Sequence, residues 1–271
     1  MNAATALDRR PVGQLLRDWR ERRRLSQLEL SLQAEVSTRH LSFIETGRSR
    51  PTPDMVLRLA EHLEVPLRAR NRLLLAAGYA PAYPEEQLDG LRLAGVRTAL
   101  RGVLAGHEPY PAVLVDRHWT LLDANAAVPL LTEGAAPDLL DPPVNVLRLS
   151  LHPEGMAGRI ANLRQWRTHL LHRLERQAAD TGDDVLRRLH RELLGYPGGS
   201  DPVTSPSAND LVMPLRYRVD GRELHFFSIT SVLGTPLDVT LAELAIESFL
   251  PADRATADLL QARRDAPAPV T

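Results

Sequence analysis

Residues 26–51, SQLELSLQAEVSTRHLSFIETGRSRP, restrict what this chain can fold into more than any other stretch. Ser26 followed by Glu29 is a capping box, in which the serine side chain accepts from the amide three residues on and the glutamate reaches back to the cap amide. Ser37 supplies a second cap and Gly47 a stop, so the spacing predicts two short helices joined by QAEVS. Leu30, Ala34, Val36, Leu41 and Ile44 then share an inward side, and the small Ser31 sits where the two helices must cross closely. The density of Leu28, Leu30 and Leu32 predicts that the first helix of the pair is well buried. The second turns Thr38, Arg39, His40, Ser42 and Phe43 outward. A phenyl ring beside a guanidinium on an exposed face is poor solubility design; it fits a reading surface.

The flanks continue the helical pattern. Leu15, Leu16, Trp19 and Arg20 begin an amphipathic segment that ends in RERRR. Thr52-Pro53 starts a fourth helix with Met55, Val56, Leu59 and Leu63 inward, and PLRARNRLLLAAGYAP gives a fifth, ended by Gly78 and Pro81. The proline-bearing YAPAYPEE, residues 79–86, reads as a linker into a connecting helix near Gln87–Leu104. Charge follows the same division. Residues 1–80 hold 14 Arg against 9 Asp plus Glu, a balance of +5, which leaves −6 for the remainder of a chain whose formal charge is −1. A basic front on a neutral chain points to one segment meeting a polyanion. All 33 basic side chains are Arg, so arginine content alone is weak evidence of phosphate binding. The absence of cysteine excludes disulfides and thiolate metal sites and fits a cytoplasmic address. No run reaches the roughly 18–20 apolar residues of a membrane span, and MNAATALDRRP lacks an apolar signal core, so no membrane role is expected.

Two short helices with this junction match a helix-turn-helix. The pattern over residues 11–78, with its caps and its E-T-G-R-x-R-P exit, resembles the lambda-repressor-like helix-turn-helix of the XRE transcription-factor family. One departure is Glu35, where that family usually has glycine; a left-handed conformation there costs a side chain on the order of 1 kcal/mol. The resemblance implies a five-helix, mainly α domain over residues 1–78 whose second motif helix, Thr38 to Ile44, lies in the major groove of double-stranded DNA. Arg39 can then donate a bidentate pair to guanine, worth about 1–3 kcal/mol of discrimination. Thr38 and Phe43 can meet thymine methyls, and Ser37, His40 and Ser42 lie within reach of bases or phosphates. Gln27 matches the family position that holds a phosphate, and Arg48 and Arg50 are further phosphate candidates. Arg20 and Glu45 match a partly buried, structural ion pair. A helical protein-interaction module is the plainer alternative for this block.

Past residue 110 the character changes. AVLVD and WTLLDAN are short β-like runs, and helical segments follow near Asn125–Leu131, Val144–Leu149, Gly158–Arg176 and Asp183–Leu194. Asn125 reads as the cap of the helix it starts. GYPGGSDPVTSPSAND reads as a loop. Around Asp220-Gly221, a type I′ signal, Val219 opposes Arg222, Tyr217 Leu224, Leu215 Phe226 and Met213 Ser228, while Arg218 meets Glu223 and Arg216 His225 on the other face. DVTLAELAIESFL is a strand or a helix; its periodicity does not choose. Residues 253–271 are expected to fray.

From Pro111 the chain resembles the ligand-binding domain of MmyB-type regulators, on PAVLVDRHWTLLDANAA, NVLRLSLHP, NLRQW and GTPLDVTLAELAIESFLPAD. Over about residues 96–252, after a linker and the start of a connecting helix at 79–95, the resemblance implies an α+β, PAS-like domain with an antiparallel sheet. It also implies a cavity for a fatty-acid-like or other acyl ligand, with no cofactor. An apolar tube with one or two cationic or hydrogen-bonding groups is what such a ligand needs. Trp166, bordered by Asn162 and His169, and the hairpin residues Met213, Leu215, Tyr217 and Phe226 are candidate walls; Arg148 and His152 are candidate head-group partners. For each there is a bland counterpart: Trp166 as ordinary core, Arg148 as a helix closure.

Catalysis finds no support. His169 and His172 lie at i, i+3 without a carboxylate at ligand spacing, GYPGGSDP lacks the context of a phosphate loop, and no G-x-S-x-G occurs. The expectation is a bacterial, homodimeric, sequence-specific transcription regulator whose rear domain senses a small apolar molecule. A DNA-anchored protein whose rear domain docks a protein partner is the alternative.

Overall fold

The computed structural model describes residues 10–199 and 213–265, and the chain divides into two compact units. One holds the residues up to Glu86 with Ala179–Thr181 and Pro236–Ala242; the other holds the rest.

The first unit contains α1 (Val12–Arg22), α2 (Gln27–Gln33), α3 (Thr38–Glu45), α4 (Pro53–His62) and α5 (Leu67–Ala76). Local chemistry sets the starts of three of them. Ser26 and Glu29 form the reciprocal capping box, Ser37 Oγ accepts from the His40 amide, and Thr52 Oγ1 accepts from the Met55 amide with Pro53 at the first helical position. One core gathers Leu16, Trp19, Leu30, Leu41, Ile44, Leu59 and Leu74 among others. The density argument for α2 fails. Leu30 is buried, but Leu28 and Leu32 are 58% and 71% exposed, because a helix of 7 residues has one buried stripe and i, i+4 neighbours on its other side stay in water. Between α2 and α3, Glu35 takes φ +53°, the left-handed geometry usually left to glycine, and the turn closes with the Val36 amide on the Ser31 carbonyl at 2.9 Å. Residues expected as a free linker are fastened to α5. The Asn71 side chain accepts from the amides of Ala82 and Tyr83 and donates to the Tyr83 carbonyl.

The second unit opens with α6 (Ala94–Gly106), entered through a 3-10 turn at Leu91–Leu93 rather than from Gln87. Its five strands, β1 (Ala112–Val115), β2 (Leu121–Ala124), β3 (Pro214–Val219), β4 (Arg222–Val232) and β5 (Ala245–Pro251), pair antiparallel in the order β2-β1-β5-β4-β3. Between β2 and β3 run α7 (Pro129–Thr132), α8 (Pro137–Leu140), α9 (Val146–Leu151), α10 (Leu163–Thr181) and α11 (Asp184–Leu194). Their apolar sides and alternate strand residues form one core: Leu147, Leu149 and Leu151 of α9, Trp166, Leu170 and Leu174 of α10, Leu186, Leu189 and Leu193 of α11, with Val113, Leu215, Tyr217, Leu224 and Phe226. The result is the PAS-like α+β arrangement that the resemblance implied.

At the β3–β4 hairpin Asp220 and Gly221 both take positive φ, +48° and +73°, and the register pairs Val219 with Arg222, Tyr217 with Leu224 and Leu215 with Phe226. Met213 precedes β3 and has no partner in that register. The undecided segment divides into α12 (Val239–Ala242) and β5. Asn125 caps no helix. Its side chain accepts from the Ala112 amide and donates to the carbonyls of Leu104 and Tyr110, binding the strand ends together. The end expected to fray forms α13 (Arg254–Asp265), capped by Asp253 on the Thr256 amide and anchored by buried Thr256 and Leu260. The latter part of the expected loop, 200–210, the hairpin residues Leu211 and Val212, and residues 1–9 and 266–271 lie outside the described residues.

Candidate nucleic-acid interface and ligand cavity

The expected reading surface divides into groups already held and groups left outward. Ser37 Oγ is committed to its cap, and Thr38 shares a hydroxyl bond with Ser31 at 2.9 Å, which ties α3 to α2 at their crossing. Arg39 and His40 are exposed, and Ser42 and Phe43 half-buried. Two guanidiniums pack on the Phe43 ring, Arg39 at 5.3 Å and Arg48 at 5.8 Å from its centroid. Packing of this kind orients flat cations without consuming their hydrogen-bond donors, which suits them to base edges and phosphates.

Behind this face stands a buried polar knot. Arg20 Nε and Nη2 meet the two oxygens of Glu45 at 2.7 and 2.9 Å, and Arg20 Nη1 donates to the Leu25 carbonyl at 2.8 Å. The bond to Glu45 holds the Arg20 guanidinium above its ordinary pKa against the opposing effect of burial. Gln27, expected on a phosphate, donates from Nε2 to Glu45 Oε2 at 2.8 Å and belongs to the same knot. Arg50 is also diverted. Its Nε and Nη2 donate to the Ala77 carbonyl at 3.1 and 2.8 Å and its guanidinium lies 5.0 Å from the Tyr79 ring centroid, so it braces the end of α5.

In the second unit a cavity of about 280 Å³ lies against the helical face of the sheet. Its walls are mainly apolar: Val113, Leu121 and Leu215 from strands, Leu147 and Leu149 from α9, Trp166 and Leu170 from α10, with Trp119, Val144, Met156 and Phe249. Of the residues expected on its walls, Trp166 and Leu215 are present. Tyr217 and Phe226 are buried core, and the Tyr217 hydroxyl donates to the Leu131 carbonyl. Asn162 serves the hairpin: its Nδ2 donates to the Pro214 carbonyl and its Oδ1 accepts from the Arg216 amide. His169 stacks on Trp166, 5.7 Å between centroids, and burial followed by the nearby Arg173 charge lowers its pKa. The expected head-group partners do not line the cavity. Arg148 makes a two-pronged pair with Glu192 at 2.7 and 2.8 Å, because it is the exposed residue of α9, while His152 meets Tyr196 edge-on.

The groups that sequence reasoning missed are Trp119, Ser150, Arg173 and Glu247, all on the wall. Trp119 has φ +66°, a genuine outlier for a bulky side chain. Asp116 enforces it: its side chain accepts from the amides of His118 and Thr120 and its carbonyl from that of Trp119. The indole Nε1 donates to Gln177 at 2.8 Å, and the Arg173 guanidinium covers the ring at 4.4 Å. Of the described non-glycine residues with positive φ, Trp119 is the one that lies on this wall. The available signal was a lone carboxylate in an apolar strand, AIESFLP, which needs a buried cation from elsewhere.

Residues 96–262 match the family described as MmyB-like transcription regulator ligand binding domain, and residues 16–69 match Helix-turn-helix. A relative, the uncharacterized HTH-type transcriptional regulator RghRB of Bacillus subtilis (strain 168), is 35% identical over 101 residues, or 37% of this chain and 64% of that protein. The chain thus spans less than two thirds of that relative's length. A solved structure, described as an RNA-binding Light-Oxygen-Voltage Receptor, aligns over 93% of this chain and 62% of that one at 15% identity with a TM-score of 0.29. With more than half of its 271 residues inside the first match, the chain belongs to the MmyB-like transcription regulator ligand-binding-domain family and carries a helix-turn-helix ahead of that domain.

Proposed function

We propose that the protein is a sequence-specific, double-strand DNA-binding transcription regulator, acting as a homodimer, whose second unit senses a small, fatty-acid-like apolar ligand. The observation that carries the first half is the outward Arg39–Phe43–Arg48 stack on a helix whose inner side is locked by Arg20 and Glu45. Arg39 and His40 read base edges, and Arg48 holds a phosphate. The second half rests on the mainly apolar cavity with its strained Trp119. Ligand alters DNA binding to the extent that it favours one arrangement of the paired DNA-reading heads, whose half-sites lie roughly 34–36 Å apart.

Two measurements test this. Genomic fragments selected by the purified chain at about 0.15 M salt should converge on one palindromic operator; a spread of unrelated sequences refutes the reading. Native mass spectrometry should reveal an acyl compound carried through purification or taken up on addition. A mass that no apolar compound shifts leaves a regulator without a small-molecule effector.

A further inference from the structure

Adjacent antiparallel strands need only a short turn, commonly about 2–5 residues. β4 and β5 pair as far as Val232 with Ala245, yet residues 233–244 run between them, and 236–242 of that connection belong to the first unit. There the extra length engages α5 and the segment that follows it. Val239, fully buried, donates its amide to the Pro84 carbonyl at 2.8 Å, and α12 lies against α5. The buried Asp238 carboxylate accepts from the Glu86 amide at 3.0 Å and, within its own turn, from the Leu241 amide at 3.1 Å. Thr240 Oγ1 donates to the Glu86 carbonyl at 2.6 Å. Residues 84–86 are thus clasped by three bonds, just past Ala82 and Tyr83, which Asn71 and Arg70 of α5 already hold.

From α5 the bonding leads back to the reading helix. The Ala77 carbonyl takes both Arg50 bonds, and the Tyr79 hydroxyl donates to the Pro51 carbonyl at 3.0 Å. Arg50 and Pro51 follow closely on Arg48, which packs on Phe43.

We propose that residues 236–242 are a latch on the DNA-binding unit: engaged, they keep residues 82–86 on α5 and so fix the end of α5 that holds Arg50 and Pro51; released, they loosen that end and disfavour DNA binding. Asp238 and Thr240 are its positioning residues. This rests on the reading of the first unit as a DNA-binding head and names the part of the chain that regulates it. The hold is sparse enough to open locally. Val239 is the single fully buried apolar side chain of the segment and Leu237 stands 78% exposed, so few contacts beyond the three bonds must be broken. Along the chain the latch runs directly into β5, whose Glu247 stands on the cavity wall.

The test is amide hydrogen exchange on the full chain, read by mass spectrometry with and without duplex DNA. Asp238→Ala removes the acceptor of the Glu86 amide and should speed exchange of the peptide covering residues 79–86 about tenfold, the value of one bond to a charged group. Asp238→Asn keeps an oxygen acceptor and should recover most of that protection. Thr240→Val keeps the shape, drops the donor and should speed the same peptide about fivefold. Peptides of α9 to α11 should exchange as in the parent in all three. By reciprocity, an excess of mixed-sequence duplex at low salt should slow exchange of residues 79–86 in the parent chain at least about fivefold, although none of them belongs to the reading face. Parental exchange in both Asp238→Ala and Thr240→Val overturns the latch. So does duplex that protects α3 but leaves 79–86 unchanged, a comparison that needs no variant to fold. Duplex that protects neither refutes the DNA-binding reading itself, and this inference with it.

Discussion

Replacing Arg20 tests whether the reading helix is held by charge or only by apolar packing. Side-chain exposure is 9% for Arg20 and 2% for Glu45, so Arg20→Met leaves a carboxylate out of water with Gln27 as its remaining side-chain donor. Breaking a buried pair from one side costs about 3–5 kcal/mol, because the surviving charge keeps its desolvation penalty and loses its compensation. Glu45→Leu should cost a similar amount. A unit of this size holds about 4–11 kcal/mol in total, so either single change brings it close to unfolding. The double change Arg20→Met/Glu45→Leu removes both ions and should return to within about 2 kcal/mol of the parent, far from the roughly 6–10 expected by addition. Amide hydrogen exchange read by mass spectrometry on peptides covering α1 and α3 gives the opening free energy in the intact chain. Operator affinity should fall with the fraction of competent heads. If the singles cost under 1 kcal/mol, or if the double costs their sum, the pair does not hold α3 in place.

Arg39→Ala should relax selectivity at one base step by about 1–3 kcal/mol, whereas Arg48→Ala should weaken all duplexes alike and reduce the salt slope by about 1; binding titrations across salt separate them. Arg50→Ala should leave that slope unchanged and cost about 1 kcal/mol of stability, since its guanidinium serves the Ala77 carbonyl. Burial pushes the Asp183 carboxyl up, but the His118 bond at 2.9 Å, the Val185 amide and the nearby Arg117 charge outweigh it and hold the folded pKa below the ordinary value. Such a group stabilises the fold fully above its unfolded pKa of about 3.9, and the contribution is lost as pH falls towards the folded value. Denaturation curves of the parent and Asp183→Asn should therefore converge between about pH 5 and 2; parallel curves would contradict this assignment.

What the sequence disclosed was local. Ser26, Ser37 and Thr52 determine helix starts through bonds three residues long, and Asp220-Gly221 sets a register that propagates by alternation. The left-handed Glu35 followed from the resemblance, in which glycine usually holds that position of the turn. Asp253, a cap on the Thr256 amide, carries the same kind of signal for α13. The charged pair on the cavity wall was not legible, because it joins Arg173 to a carboxylate 74 positions away and no periodicity relates them. Arg148 misled for a related reason. Set among leucines, it looks inward on paper, but α9 buries the residues on either side of it and leaves its guanidinium to Glu192.

An occupant of the cavity would act on more than its immediate neighbours, because of how the wall is bonded. Asp116 holds the Trp119 backbone in a costly conformation, and the indole is bonded separately to α10. Its position is registered by α10 at two points one turn apart: Arg173 over the ring and Gln177 on its nitrogen, with Gln177 also donating to the Arg117 carbonyl. Arg173 in turn grips β5 through Glu247, and Thr230 extends the grip to β4. Contact with the indole is thus contact with a 19-residue helix and two strands at once. Close-packed elements with hydrogen-bonded registers shift between discrete arrangements and do not deform smoothly. A molecule whose fit depends on where the Trp119 indole sits would therefore bias the placement of α10 as a whole, by no more than the difference in its affinity for the two arrangements.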